Sequence, residues 1–272
     1  MPRFLANVSM LFTELPLLER FAAARRAGFD TVELQFPYEC PLDDLAHALR
    51  DADVALYLIN LPAGDWAGGD RGIAADPARE AEFRAGVARA LEYAARLGVK
   101  RLNCLAGKRS TAADDDAQWR TLLGNVRFAA AQLRGLGAQL LVEPINRRDI
   151  PGFFLGTSAE ALRLIEQADE PNLALQYDVY HMQRSEGELT ETIRANLDRI
   201  GHIQIADTPG RHQPGSGEIN FRFLLRELDR MGYAGYVSLE YVPAPDTLAS
   251  LAWIGEHGFS LPGLASTGPA PT

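Results

Sequence analysis

A single α/β domain closed into a (β/α)8 barrel is what this sequence predicts, on three observations. Strand-like and helix-like runs alternate eight times within about 260 residues, more units than a doubly wound sheet usually contains. No Gly-x-Gly-x-x-Gly follows the first strand, which argues against a dinucleotide fold and a nucleotide cofactor. Several later strands run into an acidic residue, at the edge of a parallel sheet where ligands bind.

The elements follow in order. Residues 3–8 alternate as a first strand, and 16–27 place Leu17, Phe21, Ala24 and Ala27 on one helical face before Gly28 stops the helix. The same unit recurs as strand 31–36 with helix 42–50, and as strand 54–60 with a glycine-rich loop and helix 78–97. Strand 101–105 precedes helix 117–136, whose start can be capped by Asp114, Asp115 or Asp116. The second half continues with strand 139–143 and helix 159–167, then strand 173–178 and helix 189–198. Strand 202–206 with helix 221–231 and strand 236–240 with helix 247–256 complete the eight. The barrel is expected over 1–259, and the Pro/Gly/Ser/Thr-rich stretch 260–272 is expected to be a disordered tail.

Composition narrows the function. The chain has 272 residues, 47% hydrophobic and 23% charged, which is an ordinary globular balance. A net charge of −9 with a pI near 5.1, and no basic run, excludes a general grip on nucleic acid. No run of about eighteen apolar residues occurs, so no membrane partner is expected, and the N-terminus does not read as a leader. Cys40 and Cys104 stand far apart in no metal-like spacing, which fits a reducing, cytoplasmic setting. Lysine occurs only at Lys100 and Lys108, leaving few candidates for Schiff-base chemistry. The oligomeric state is left open, a homo-oligomer included.

The most informative stretch is AQLLVEPINRRD at 138–149. Gln139 to Val142 read as a strand covered on both faces, and Pro144 cannot continue its ladder, so Glu143 stands at the carboxyl end. Strand six ends in Asp178, strand seven carries Gln204 and reaches Asp207, and strand eight ends in Glu240. Each has an ordinary role when taken alone: Asp178 as a helix cap, Gln204 as a core amide, Glu240 in a salt bridge. Together, Glu143, Asp178, Gln204 and Glu240 form an all-oxygen set suited to a hard divalent cation such as Mg²⁺ or Mn²⁺. Without a cation the three carboxylates repel and at least one holds a proton. His181, three residues after Asp178, is a candidate substrate contact. Lys108, Arg211 and Arg71, in loops after strands four, seven and three, are candidate partners for a substrate anion. His202, at the start of strand seven, is expected in packing or at the opposite rim.

The stretches FLANVSMLFTE, LPAGDWAGGDRGIA, VEPINRRDIPGF, QYDVYHMQRSEGELT, HIQIADTPGRHQPGSGEIN and LEYVP resemble the hydroxypyruvate isomerase family. That family lies within the sugar-isomerase and endonuclease-IV-like TIM-barrel superfamily, and the likeness runs in order through nearly the whole chain. It implies an enzyme interconverting hydroxypyruvate and tartronate semialdehyde (2-hydroxy-3-oxopropanoate), a small anionic 2-oxo acid substrate. It implies Glu143 and Glu240 as the acid/base pair and Asp178 and Gln204 as the remaining oxygen ligands of a metal. The 2-oxo-tetronate isomerases share the opening motif and both glutamates, while the 61–72 and 143–152 loops favour the hydroxypyruvate group. Val242 departs from the pattern, which leads one to expect lysine after the Glu-Tyr pair. Two rivals are an endonuclease-IV-type phosphodiesterase, which would want several histidines and a basic face, and a sugar-acid binding protein without turnover.

Overall fold

Each of the eight strands pairs in parallel with its neighbours in chain order, and the last returns to the first. The structure is a computed structural model, and residues 1–261 are described. In order the elements are β1 (Arg3–Asn7), α1 (Leu17–Arg26), β2 (Thr31–Glu33), α2 (Leu42–Ala52), β3 (Ala55–Asn60), α3 (Glu80–Leu97), β4 (Arg101–Cys104) and α4 (Asp115–Arg134). There follow β5 (Gln139–Val142), α5 (Ser158–Ala168), β6 (Leu173–Asp178), α6 (Val179–Ser185), α7 (Leu189–Ala195), β7 (Ile200–Ile205), α8 (Phe221–Arg230), β8 (Tyr236–Leu239), α9 (Thr247–Ser250) and α10 (Trp253–Glu256). Closure comes from β1 beside β8, with Ala6 opposite Leu239. The expected (β/α)8 barrel is the fold observed.

Local chemistry sets the element ends. Asp114 caps α4 by accepting from the Ala117 N–H at 2.6 Å, and Thr157 with Glu160 forms a reciprocal capping box at the start of α5. Helix α8 buries Phe221, Leu224, Leu225 and Leu228, the i, i+3, i+4, i+7 stripe that holds a helix against a sheet. Two details of the helices differ from expectation. The Asp178 side chain caps an additional helix, α6, by accepting from the Tyr180 N–H at 2.8 Å. The last helical stretch divides into α9 and α10. Of the stretch 260–272, Leu261 is buried in the core, correcting the boundary of the tail; residues 262–272 lie outside the described residues.

The two faces of the strands bury different chemistry. Outward-facing apolar residues such as Phe4, Ala6, Val32, Leu140, Val142, Leu175, Ile203 and Leu239 pack in one large core with the helices. Inside the barrel a small separate cluster, Leu58, Leu141 and Ala174 with Tyr57 against it, fills the lower part. Gly201 belongs to this layer: a Cβ there would stand 2.6 Å from both Gln139 Oε1 and Leu141 Cδ2, so a larger residue would force those side chains to shift. Above it the interior is polar. Asn7, Glu33, Asn60, Asn103, Gln176, Gln204 and Ser238 are all buried, one on nearly every strand. A polar layer resting on a dry floor, at the carboxyl ends of the strands, is where a barrel builds a ligand site.

Candidate active site

Glu143, the residue after β5, is buried and accepts two hydrogen bonds on Oε2, from Asn103 Nδ2 at 2.7 Å and Gln176 Nε2 at 2.9 Å. Burial, with the neighbouring Asp178 charge, pushes its carboxyl up to about 8. Glu240, following β8, is also buried. It accepts from Arg211 at 2.6 Å, Gln35 Nε2 at 3.2 Å and Asn7 Nδ2 at 3.3 Å, and from the Gln204 amide. Burial raises its pKa well above the usual carboxylate range, against the pull of Arg211. Asp178 is raised by burial as well; Arg211 pulls its pKa the other way, and its Oδ2 faces the guanidinium at 3.4 Å. Burial opposes the charge on Arg211, but the carboxylates of Glu240, Asp178 and Glu143 raise its pKa and keep it cationic.

The orientation of His181 follows from its neighbour. Asn146 Oδ1 accepts from the backbone N–H groups of Arg148 at 3.1 Å and Asp149 at 2.9 Å, which fixes the amide the other way round. Its Nδ2 then points at His181 Nδ1, 2.7 Å away, so that ring nitrogen accepts. Burial, together with Arg211 and Arg184, holds the imidazole pKa well below its ordinary value. The ring proton of the neutral form therefore sits on Nε2, which faces Asp178 Oδ2 at 3.4 Å and Glu143 Oε1 at 3.9 Å.

Glu143, Asp178 and His181 bring one ligand atom each within 4.8 Å of one another, a possible site for a metal ion. The donor chemistry fits a hard cation: crowded, buried carboxylates whose pKa values are raised by desolvation gain most from an added positive charge. Because the Asn146 contact leaves the His181 proton on Nε2, the oxygens are the better donors of the group. Gln204 lies between the two glutamates. Its nitrogen donates to Glu33 Oε1 at 2.6 Å and to Glu240, and its oxygen accepts from Gln176 at 2.7 Å.

Comparison with known proteins gives this arrangement a family. The family model of the xylose isomerase-like TIM barrel matches residues 21–257. The chain belongs to that family. The hydroxypyruvate isomerase of Escherichia coli K12 is 49% identical over 94% of this chain and 100% of its own length. A 2-oxo-tetronate isomerase of Cupriavidus necator is 42% identical over 93% of this chain and 98% of its own. Among solved structures, an AP endonuclease, family 2, from Brucella melitensis superposes with a TM-score of 0.91 at 42% identity, covering 94% of this chain and 99% of that one. With curated relatives of this likeness named as isomerases, this member of the xylose isomerase-like family is an isomerase.

Of the residues singled out from sequence in this family member, Glu143, Asp178, His181, Gln204, Arg211 and Glu240 meet around one centre. Lys108 and Arg71 do not reach it. Lys108 is exposed beside the glycine-rich loop, its Nζ 3.9 Å from where a Gly69 Cβ would stand. The Arg71 guanidinium stacks 4.2 Å over the Trp66 ring and donates to the Trp66 carbonyl at 3.0 Å. The loops carrying them cross at Gly72 and Gly107, where a Cβ would lie 2.3 Å from the Leu105 oxygen or 2.2 Å from the Gly72 oxygen. Both glycines have positive φ.

Sequence reasoning missed Glu33 and the hydrogen bond that joins it to His202. With β2 read as far as residue 36, Glu33 fell in mid-strand; β2 ends at Glu33, and its period-two partner Thr31 was the available signal. His202 is in packing, as expected, with its ring 5.4 Å from that of Tyr57, and it also makes a polar contact that was not expected. A register shift where β6 meets β7 sets it opposite Gln176, fully buried, with Nε2 2.8 Å from Glu33 Oε2. Val242, exposed, contributes through its backbone: its N–H donates to the Arg211 carbonyl at 2.8 Å and helps hold that loop.

Proposed function

We propose that this isomerase interconverts hydroxypyruvate and tartronate semialdehyde, moving a proton between adjacent carbons through an enediolate. The observation that carries the reading is the pair Glu143 and Glu240, two buried carboxylates with raised pKa values at the ends of β5 and β8, facing one centre. A proton transfer between C3 and C2 needs one group to remove a carbon-bound proton and another to return one next to it. A carboxylate whose pKa is lifted towards neutrality suits either task. The 49% identity to the Escherichia coli hydroxypyruvate isomerase supports the substrate.

Glu143, Asp178, Gln204 and Glu240 would hold the divalent cation, Mg²⁺ or Mn²⁺. Such an ion supplies Lewis-acid stabilisation of negative charge on the substrate oxygens. The protein's own groups do the rest. His181, with its proton on Nε2, donates a hydrogen bond to a substrate oxygen. Arg211, cationic and donating to Glu240, takes the substrate carboxylate on its remaining N–H groups, its charge offsetting the repulsion between that carboxylate and the glutamate. Asn103 and Gln176 orient Glu143, and both amide nitrogens are already directed at it.

The name of the Brucella relative raises nuclease chemistry, which the site does not favour. Among the described residues the one group with metal-ligand potential holds a single histidine, and the chain carries net charge −9. The test is turnover of hydroxypyruvate by the Mg²⁺- or Mn²⁺-loaded protein, with 2-oxo-tetronates and ketoses as competitors. Preference for hydroxypyruvate supports the reading; preference for a 2-oxo-tetronate moves the substrate to the related group.

A further inference from the structure

Beneath the two glutamates lies a buried carboxylate that the proposed reaction does not use. Glu33 is fully buried, and each of its oxygens is committed. Oε1 accepts from Asn7 Nδ2 at 2.9 Å and Gln204 Nε2 at 2.6 Å, while Oε2 meets His202 Nε2 at 2.8 Å. The same two amide nitrogens, of Asn7 and Gln204, are those that donate to Glu240 Oε2. Each amide is thus shared between one carboxylate at the mouth and one below it. From Gln204 the chain continues through Gln176 to Glu143. His202 is fixed from below by Tyr57, whose ring centroid lies 5.4 Å from the imidazole, and Tyr57 in turn lies under the Arg101 guanidinium at 4.2 Å.

We propose that Glu33, seated on His202, is a positioning residue that sets the place of the Glu240 carboxylate through the Asn7 and Gln204 amides. The reasoning is geometric. An amide nitrogen carries two hydrogens, and with one directed at Glu33 the other has a fixed direction, towards Glu240. Without Glu33 each amide keeps only the anchor on its oxygen, from Gln176 for Gln204 and from the Ser9 N–H for Asn7, so its nitrogen is no longer fixed from two sides, and the Glu240 carboxylate, whose Oε1 is held by Arg211, loses the orientation of its second oxygen. Such a loss falls on the alignment of the acid/base group rather than on substrate binding.

The inference rests on the proposed isomerase reading, and its test separates the two. Glu33→Ala and Glu33→Gln are compared with the unaltered, cation-loaded protein for kcat and KM on hydroxypyruvate and for melting temperature. In Glu33→Ala, kcat is expected to fall about 30- to 100-fold with KM within about threefold, the scale on which a displacement of about 1 Å acts. Glu33→Gln should restore kcat to within about fivefold of the unaltered protein. Its oxygen still accepts from both amides, and its nitrogen can donate to His202 Nε2 once the ring proton moves to Nδ1, which has no partner among the described residues. A fall in Glu33→Ala of less than about tenfold, a loss carried mainly by KM, or a Glu33→Gln as slow as Glu33→Ala overturns the proposal. If Glu33→Ala does not fold, Glu33→Asp replaces it, since a carboxylate one methylene shorter cannot span Gln204 and His202. The same thresholds apply to it. If the unaltered protein does not turn over hydroxypyruvate, the substrate reading fails by itself. Crystal structures of the unaltered protein and of the folded Glu33→Ala or Glu33→Asp variant then decide: a Glu240 carboxylate displaced by about 1 Å supports positioning, and one displaced by less than about 0.5 Å overturns it.

Discussion

Glu143 and Glu240 are the same residue at the ends of two strands, yet they are held in different ways. Uncharged amides, Asn103 and Gln176, surround Glu143. A guanidinium grips Glu240 on one oxygen, while the other is tied into the Asn7, Gln204 and Glu33 layer. The difference teaches that a carboxylate's protonation and its position can be controlled separately. Burial with neutral donors tunes the first, and a charged clamp with a relay of shared amides fixes the second.

The largest effect should come from removing either proton acceptor. Glu143→Gln and Glu240→Gln keep shape and hydrogen bonding, and each is expected to lower kcat by about 10²- to 10⁴-fold with the fold intact. Retention of about a tenth of the unaltered kcat by either variant excludes an acid/base role for it. The comparison sharpens in Arg211→Met, which removes the clamp on Glu240 and the 3.4 Å contact with Asp178 but leaves both amide bonds to Glu143 in place. Loss of a charge-assisted bond of roughly 1.5 to 3 kcal/mol should raise KM about 10- to 150-fold, since the substrate carboxylate changes little on the way to the enediolate, and kcat should fall as well because the same guanidinium holds Glu240. If KM moves less than about threefold, the carboxylate is anchored elsewhere.

A pH experiment addresses the shared burial. In cation-free protein the folded-state pKa values of Glu143, Asp178 and Glu240 are raised, so the folded state holds protons that the unfolded chain has released. The stability these protons contribute is complete below the unfolded carboxylate range near pH 4 and is lost as the pH rises through the raised folded-state values, about 8 for Glu143. Melting temperature in a chelator should therefore fall from pH 5 to about 8, and Mn²⁺ or Mg²⁺ should remove most of that slope. A slope unchanged by the cation would argue that the ion binds away from these carboxylates. The smallest effect is expected at Lys108→Met: the side chain is exposed, so KM should change less than about fivefold, against the much larger change in Arg211→Met.

The fold was legible because alternating strand and helix periods recur eight times, and the strand-end rule located Glu143, Asp178 and Glu240. What remained hidden depends on register. Glu33 and His202 enter the polar layer because β2 stops after three residues and because the β6–β7 pairing shifts between Leu175 and Gln176. Neither event has a signal in composition. The roles of Asn7, Asn103, Asn146 and Gln176 were hidden for another reason: a buried amide becomes meaningful only when its partner, distant in sequence, is known. Arg71 and Lys108 stood in the expected loops, but loop position alone does not aim a flexible side chain.

The central claim, proton transfer between two glutamates through an enediolate, is tested most directly by isomerising hydroxypyruvate in ²H₂O and reading the product by NMR. The returning carboxyl group exchanges with solvent, so deuterium is expected on C2 of the tartronate semialdehyde formed by the unaltered protein. Full turnover to a product carrying only protium at C2 would contradict the account, because the hydrogen would then have passed directly from one carbon to the other.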